Sequence, residues 1–223
     1  MRYTGTVPNM NDTSMITRQA IDFAWTAFKK HSLLLIAILL TIVVAWVALE
    51  VIVITGQRFG ILWWTAVHLA FFFILAGIEI GFIQACFALY DGKEPTFADT
   101  FRHLSSGLHF LVGQTLYLLM TIIGLAFLIL PGIYVGVRYA FSGFCQVEGE
   151  KSIGQSFQQS AGMSMGNSGY LLAIIGILLV FNLIGACLLG IGLLITIPLS
   201  TLTLTAIYKQ LRELNIAPLQ ASA

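Results

Sequence analysis

Charged residues are scarce in this sequence. Of its 223 residues, 11 are lysine or arginine and 10 are aspartate or glutamate, together 9% of the chain, whereas an ordinary soluble domain carries about 25%. A soluble protein of this length needs many more polar groups to cover its surface. The formal net charge of +1 also provides no basic surface for nucleic acid, so nucleic-acid partners are excluded.

Cysteine and the usual catalytic signatures are also nearly absent. The three cysteines, Cys86, Cys145 and Cys187, lie far apart within apolar runs, so we expect packing residues rather than a redox or metal set. The chain has no H-E-x-x-H motif and no phosphate-binding G-x-x-x-x-G-K-[ST] motif, and its histidines are not spaced for haem or zinc. We therefore predict no catalytic residues, no metal, no cofactor and no enzymatic activity.

Apolar residues, in contrast, make up 58% of the chain. This content excludes disorder, and at about 20 residues per crossing it provides for about six transmembrane helices. We therefore predict an all-α polytopic membrane protein, with Pro131, Gly132 and Pro198 as helix breaks. The predicted helices cover residues 33–55, 61–90, 108–130, 133–147, 170–189 and 193–208.

The short run 133–147 decides the predicted topology, because it contains Arg138. If the run crosses the membrane, both termini lie on one side together with nearly all lysines and arginines. If residues 108–147 form one kinked helix instead, five crossings result and basic residues fall on both sides. The excess of lysine and arginine on cytoplasmic loops favours six crossings with cytoplasmic termini.

The ends of the chain are more polar than its middle. Residues 1–11 contain no apolar core followed by a small-residue cleavage site, so we expect the first span to act as an uncleaved targeting signal. The predicted organisation is a disordered tail over 1–13, a single six-span membrane domain over 14–209 and a cytoplasmic C-terminal tail over 210–223.

Three short amphipathic stretches, 16–30, 96–108 and 152–164, precede pairs of predicted spans. The spacings Thr96 to Asp99 and Ser152 to Gln155 are typical of capping boxes. Two interpretations stay open: a repeat of one interfacial helix plus two crossings, or ordinary interfacial helices between spans. In either case we expect these stretches to lie on the cytoplasmic surface.

Segments 91–101, 131–135, 148–167 and 190–198 occur in an order that resembles a broad family of uncharacterised six-span bacterial inner-membrane proteins. That family is similar to the membrane domain that precedes the catalytic barrel in some anchored glycerophosphodiester phosphodiesterases. The resemblance implies a six-span fold and an inner-membrane location. It implies no phosphodiesterase activity, because the barrel is absent, and it transfers no site residue.

Ionisable residues within the apolar runs are the candidates for function, because charge at membrane depth is costly. Glu50 lies near the outer end of the first span, where its side chain can reach water, and His68 stands alone on an apolar face. Glu79 and Arg138 are opposite charges at similar predicted depth. The sequence favours an ion pair between them that fixes helix register, with a proton or substrate site as the alternative.

Small and polar residues within the predicted spans indicate helix packing. Gly77, Gly81 and Ala85 follow a small-x-x-x-small pattern that allows close approach of a neighbour. We expect the amides within the spans to bond between helices and the hydroxyls of the last span to bond the carbonyls one turn earlier. These amides are Gln84, Gln114 and Asn182, and the hydroxyls are Thr196, Ser200, Thr201, Thr203 and Thr205.

Two functions are consistent with these observations. The first is a non-enzymatic scaffold or accessory subunit of a membrane complex, in contact with membrane lipids and with a membrane-protein partner or a second copy of the chain. The second is a small transporter or channel that uses Glu79 and Arg138 near the midplane. Few polar residues are present to line an aqueous route, so the sequence favours the first function.

Overall fold

The computed structural model describes residues 13–56, 60–149, 152–188 and 190–220, with side chains described as far as residue 214. This described part is helical and contains no strand. The helices are α1 (Thr13–Thr55), α2 (Gly60–Tyr90), α3 (Gly107–Phe127), α4 (Ile129–Arg138), α5 (Ser142–Gly149), α6 (Ile153–Ser164), α7 (Ser168–Cys187) and α8 (Leu193–Gln220). Two short 3-10 segments, Phe97–Phe101 and Leu104–Ser106, connect α2 to α3.

Four segments are long and apolar enough to cross a membrane. They are Thr13–Thr55, Gly60–Tyr90, Phe97–Phe127 and Ser168–Cys187. The all-α fold and the presence of membrane-spanning candidates are therefore confirmed. The predicted disordered tail falls almost entirely outside the described residues, since α1 already begins at Thr13.

Helix α1 joins the first amphipathic stretch to the first predicted span. Its 43 residues bend at His31, whose φ of −120° and ψ of 24° are not helical. Before this bend, the apolar face of α1 is buried against the protein itself, with Ile16 and Ala20 at most 2% exposed. The ring of Phe23 packs edge-on against Tyr90, the last residue of α2, at a centroid distance of 5.2 Å.

The turn between α3 and α4 lies at Leu128, not at the predicted break Pro131–Gly132. Leu128 has extended backbone angles, φ −162° and ψ 141°, and precedes the first residue of α4. Pro131 therefore falls in the first helical turn, where the missing amide hydrogen leaves no hydrogen bond unmade. Gly132 has a packing role instead, because a Cβ on Gly124 would lie 2.8 Å from its Cα.

The predicted helix 133–147 is not continuous. Helices α4 and α5 are separated at Tyr139–Phe141, and α4 alone has ten residues, a length of about 15 Å. Both helices run back along α3: the Tyr117 hydroxyl donates to the Gly136 carbonyl at 2.9 Å. Further along, a Cβ on Gly113 would lie 2.4 Å from the Gln146 amide. The chain thus returns along α3 as an interrupted helix.

Helix α6 buries serines that the apolar pattern of the sequence does not predict. Its cap forms as expected, with Gln155 N–H donating to the Ser152 hydroxyl. Of the apolar residues that the pattern aligns on this helix, Phe157 is buried, whereas Ile153 and Ala161 are only partly buried. The most buried side chains of the helix are the serines at 156, 160 and 164, each no more than 1% exposed.

Helix α8 packs against α1 and α7 and passes through Pro198 without a break. Pro198 is therefore not the predicted helix break, because the single missing amide hydrogen interrupts one bond in a long, buried helix. The α7–α8 turn is tight, since a Cβ on Gly192 would lie 2.6 Å from the Gly185 carbonyl oxygen. The predicted C-terminal tail is helical as far as Gln220, and its first residues, Gln210 and Leu211, are buried.

The buried core lies at one end of the molecule, which we call the packed end. The starts of α1 and α7 meet there, where Thr17 donates to the Tyr170 hydroxyl at 3.2 Å. The ends of α2, α5 and α8 also meet there, through the rings of Phe87, Phe144 and Tyr208 at 5.6 to 6.0 Å. At the opposite, apolar end the helices expose large apolar side chains, such as Leu62, Phe127 and Leu130.

Candidate functional site

A cluster of charged residues ties the packed end together. The carboxylate of Glu148, at the end of α5, accepts hydrogen bonds from the Tyr208 hydroxyl at 2.6 Å and from the Lys209 ammonium at 2.9 Å. Arg212 also pairs with Glu148, and Lys209 lies 3.6 Å from a carboxylate oxygen of Asp91. Because these residues come from α5, α8 and the turn after α2, the cluster ties the ends of α2 and α5 to the second half of α8.

The surroundings of Glu148 determine its charge state. Burial by itself raises the pKa of this carboxyl, but hydrogen bonds from Tyr208 and Lys209 and the charges of Lys209 and Arg212 outweigh that effect. The pKa of Glu148 therefore lies below its ordinary value. At neutral pH the side chain is therefore a carboxylate with two cations beside it. Such a carboxylate stabilises the fold and carries no proton to donate.

The structure does not bring Glu79 and Arg138 together. No ion pair joins them in the described part of the chain. Arg138 instead donates to the hydroxyl of Tyr134, one turn earlier in α4, and lies 5.5 Å from the centre of its ring. Glu79 is exposed on the outer surface of α2. The predicted pair is wrong because helical wheels do not show which faces of α2 and α4 point to each other.

The small residues of α2 do pack closely, and the structure shows their partner. A Cβ on Gly81 would lie 2.1 Å from the Thr100 carbonyl oxygen, and one on Gly77 would lie 2.9 Å from the Leu104 Cα. Ala85, one turn later, is 5% exposed. The 3-10 segments between α2 and α3 therefore lie directly on this face, whereas the pattern alone predicted close packing without its partner.

A polar cleft opens beside this contact, between α2, the start of α3 and α5. Its volume is about 240 Å³. Polar side chains from α2, the connection between α2 and α3, α3 and α5 line it, together with the apolar residues Ile80, Phe110 and Val147. The polar lining residues are Gln84, His103, Ser106, His109 and Gln146. We refer to it as the Gln146 cleft.

The Gln146 cleft contains buried polar atoms without partners. Gln146 is 6% exposed, and neither its Oε1 nor its Nε2 has a hydrogen-bond partner in the described residues. The same is true of His103 Nδ1. Buried polar groups in native proteins are almost always hydrogen-bonded, and an orphaned one costs about 1–3 kcal/mol. A ligand in the cleft would supply the missing partners.

A second cleft adjoins the first and shares Gln84 and His103 with it. It adds two cations, Lys93 and Arg102. Arg102 lies 3.2 Å from the carboxylate of Asp99. That carboxylate also accepts hydrogen bonds from the backbone N–H and hydroxyl of Thr96 at 2.8 and 2.7 Å, and these bonds hold its pKa below the ordinary value. The predicted pairing of Thr96 with Asp99 thus positions Arg102 beside the cleft.

The sequence shows the amide, imidazole and hydroxyl side chains that line this cleft, but it does not show that they lie together. The spacing of the histidines indicated no haem or zinc site, and Gln84 was expected to bond between helices. Gln146 carried no signal, because a single glutamine in an apolar run is ordinary. The only usable hint was that two histidines and two serines cluster over residues 103–109 beside the first turn of α3.

The remaining titratable candidates serve local structure. His68 Nδ1 lies 2.8 Å from the Trp64 carbonyl oxygen and must donate to it, and the two rings are 4.1 Å apart. Within the described ranges, no group of three or more histidine, cysteine or acidic side chains has a geometry that could hold a metal ion. Of the cysteines, Cys86 and Cys145 are buried and Cys187 is exposed.

Fold and site together define an all-helical protein with four membrane-spanning candidates, a packed polar end and a polar cleft at that end. Comparison of the chain with protein-family models, with curated proteins and with solved structures gives no match.

Proposed function

We propose that the chain is a non-enzymatic scaffold or accessory subunit of a bacterial inner-membrane complex. In this proposal α4 and α5 together make a crossing, which gives six spans with both termini in the cytoplasm. The return of α4 and α5 along the length of α3 supports the crossing. The charged cluster, which joins Glu148 of α5 and Asp91 after α2 to Lys209 of α8, supports the proposal that these segments lie on the same side of the membrane.

The observation that carries the proposal is the position of Glu79. Its side chain is exposed on α2 and has no ion pair within the described chain. A carboxylate facing lipid is costly, and such residues in membrane proteins generally find a partner. A helix of another subunit, or of a second copy, that supplies a cation or a hydrogen-bond donor would satisfy Glu79. The need for an outside partner distinguishes a subunit from a self-contained protein.

A small transporter or channel is the second candidate, and the interruption between α4 and α5 favours it, since broken helices bind substrates in many transporters. However, backbone groups that the interruption leaves without helical hydrogen bonds are bonded to side chains instead. The hydroxyls of Ser160 and Ser164 each donate to the Arg138 carbonyl at 3.1 Å. Threonine hydroxyls of α8 also bond backbone carbonyls of their own helix. These bonds leave few free polar groups to line a path for ions or solutes through the membrane.

The test is purification in native nanodiscs, followed by mass spectrometry and crosslinking. We expect a protein partner, or a second copy, in fixed stoichiometry. Glu79→Leu should release it, whereas Glu50→Gln, which changes an exposed glutamate in α1, should retain it. A monomer without partner that conducts ions or solute in proteoliposomes would overturn the subunit proposal and favour the transporter.

A further inference from the structure

The Gln146 cleft has features that the scaffold proposal does not use. Both polar atoms of the Gln146 amide and Nδ1 of His103 are buried there without partners. The two residues come from different elements, α5 and the connection between the 3-10 segments. Since folding alone rarely leaves three such atoms around one cleft, a bound molecule with hydrogen-bonding groups is the simplest explanation for their placement.

The charge near the cleft favours an anion. Helix α3 begins at the cleft, with Ser106 as its N-cap residue, and this side chain makes no capping hydrogen bond. The first turn of a helix presents partial positive charge to a bound anion. The adjoining cleft is lined by two cations, Lys93 and Arg102, and by two carboxylates, Glu94 and Asp99. Glu94 pairs with Lys30 and Asp99 with Arg102, which leaves Lys93 as a cation without an ion pair in the part of the chain that is described. Amide, imidazole and hydroxyl groups complete a set that suits phosphate oxygens.

The surroundings of the cleft favour a ligand with apolar chains. Part of its lining is apolar, formed by Ile80, Phe110 and Val147. Exposed apolar residues at helical spacing follow α3 from its first turn, with Leu108 60% exposed, Val112 49% and Leu116 43%. A molecule with its polar group in the cleft would therefore lay its tail along α3. A membrane lipid has this arrangement, with a polar headgroup at one end and apolar chains along the rest of the molecule.

We propose that the Gln146 cleft binds the phosphate-bearing headgroup of a membrane phospholipid, whose acyl chains lie against α3. The amide of Gln146 donates Nε2–H to a phosphate oxygen and accepts at Oε1 from a headgroup hydroxyl. His103 takes a second hydrogen bond through Nδ1, and Lys93 and Arg102 attract the negative charge from the adjoining cleft. Clusters of basic residues at the cytoplasmic ends of membrane helices bind anionic headgroups in this manner.

The experiment measures lipid retention by native mass spectrometry of the full chain, delipidated in a nonionic detergent. The probes are dioleoyl phosphatidylglycerol, dioleoylglycerol, which lacks the phosphate, and glycerol phosphate, which lacks the chains. We expect one phosphatidylglycerol per chain and much weaker retention of the other two. Gln146→Leu should weaken retention by about tenfold or more, because each lost hydrogen bond to a charged group contributes at least that much.

Gln114→Leu is the matched control. Gln114 faces α5 from α3, its Nε2 also lacks a partner, and it does not line the cleft, so this variant should retain the lipid as the wild type does. Circular dichroism and gel filtration verify that each variant is folded. If Gln146→Leu does not fold, His103→Leu replaces it, with the same expected loss.

Three outcomes would overturn the proposal. Equal retention by the wild type and a folded Gln146→Leu or His103→Leu variant would show that the cleft does not hold the lipid. Equal retention of dioleoylglycerol would show that the phosphate is not recognised. Equally tight binding of glycerol phosphate would show a site for soluble phosphate esters in which acyl chains take no part. None of these results bears on whether a protein partner co-purifies, so failure here is separate from failure of the subunit proposal.

Discussion

The hydroxyl of Ser160 in α6 lies 3.1 Å from the carbonyl oxygen of Arg138, at the last residue of α4. The same hydroxyl oxygen accepts the N–H of Phe141 at 3.2 Å. One serine therefore bonds both sides of the interruption between α4 and α5. Irregular backbone within a membrane protein persists only where such partners replace the missing helical bonds.

Ser160→Ala should destabilise the protein by about 1–3 kcal/mol, because it removes the acceptor of the buried Phe141 N–H. Ser164→Ala should cost less, because the Arg138 carbonyl keeps its hydrogen bond from Ser160. Ser156→Ala is the control from the same buried face, since the Ser156 hydroxyl has no hydrogen-bond partner in the described residues. Its removal should be neutral or slightly stabilising. Thermal unfolding in detergent measures all three. Equal losses at all three positions would show that the serines act only through packing.

Removal of the charge of Glu148 should loosen the packed end. Glu148→Gln keeps the shape of the side chain but removes the pairing with Lys209 and Arg212, and we expect a loss of about 1.5–3 kcal/mol, the range for hydrogen bonds to charged groups. Glu94→Gln is the control, because its pair with Lys30 is exposed to solvent, and it should leave stability almost unchanged. A Glu148→Gln variant as stable as the wild type would contradict this role.

The lowered pKa of Glu148 predicts a pH dependence with a definite sign. Since the folded pKa lies below the unfolded value, its contribution to stability is complete above the ordinary glutamate range and is lost as pH falls through the folded pKa. Melting temperatures of the wild type and Glu148→Gln should therefore converge in acid. If the difference between them grew toward low pH, the sign of the shift would be wrong.

A methyl group at Gly81 should disrupt the contact between α2 and the first 3-10 segment. Its Cβ would lie 2.1 Å from the Thr100 carbonyl oxygen, and overpacking of this kind costs about 1–3 kcal/mol. Gly176→Ala in α7 is the control, because no atom lies within 4 Å of a Cβ there. That variant should be neutral or stabilising through helix propensity. Unfolding midpoints of the two variants should move in opposite directions.

Glu79 and Arg138 should behave independently in a double-mutant cycle. Because no ion pair joins them within the described chain, the effects of Glu79→Leu and Arg138→Leu on stability should add within about 0.5 kcal/mol. The measurement needs four proteins: the wild type, the two single variants and the double variant. Recovery of stability in the double variant would restore the predicted pair.

Reporter fusions test the proposed topology. Fusions after Tyr90, Val147 and Ala223 should report the cytoplasm, and fusions near Arg58 and Pro131 should report the outside, because basic residues concentrate on cytoplasmic segments. An outside signal at Ala223 alone would reject six crossings. An inside signal near Pro131 would instead show that α3 and α4 do not form a hairpin across the membrane.

The long apolar runs were readable from sequence because length and hydropathy are local properties. The predicted helix 61–90 appears as Gly60–Tyr90, and 108–130 as Gly107–Phe127. The caps at Ser152 and the contact of Asp99 with Thr96 were also readable, since they involve residues three apart.

Properties that depend on distant neighbours were not readable. The interruption at 139–141 is bonded by Ser160 and Ser164 of α6, and the apolar pattern did not show that the serines of this helix are buried beside Phe157. The partner of Gly77 and Gly81 turned out to be a 3-10 segment. Gln146 gained significance only once α2 and α3 were placed beside it, because a cleft is a property of several elements at once.

The division into a packed end and an apolar end has a consequence for how the protein responds to its surroundings. At the packed end, the rings of Phe87, Phe144 and Tyr208 fix one another, whereas side chains such as Leu62 and Phe127 at the other end face outward. In a bilayer, lipid is the main neighbour of that second half, and helix tilt there adjusts to membrane thickness. We therefore expect the packed end to keep its geometry in membranes of different thickness and the helices of the apolar end to change their tilt with that thickness.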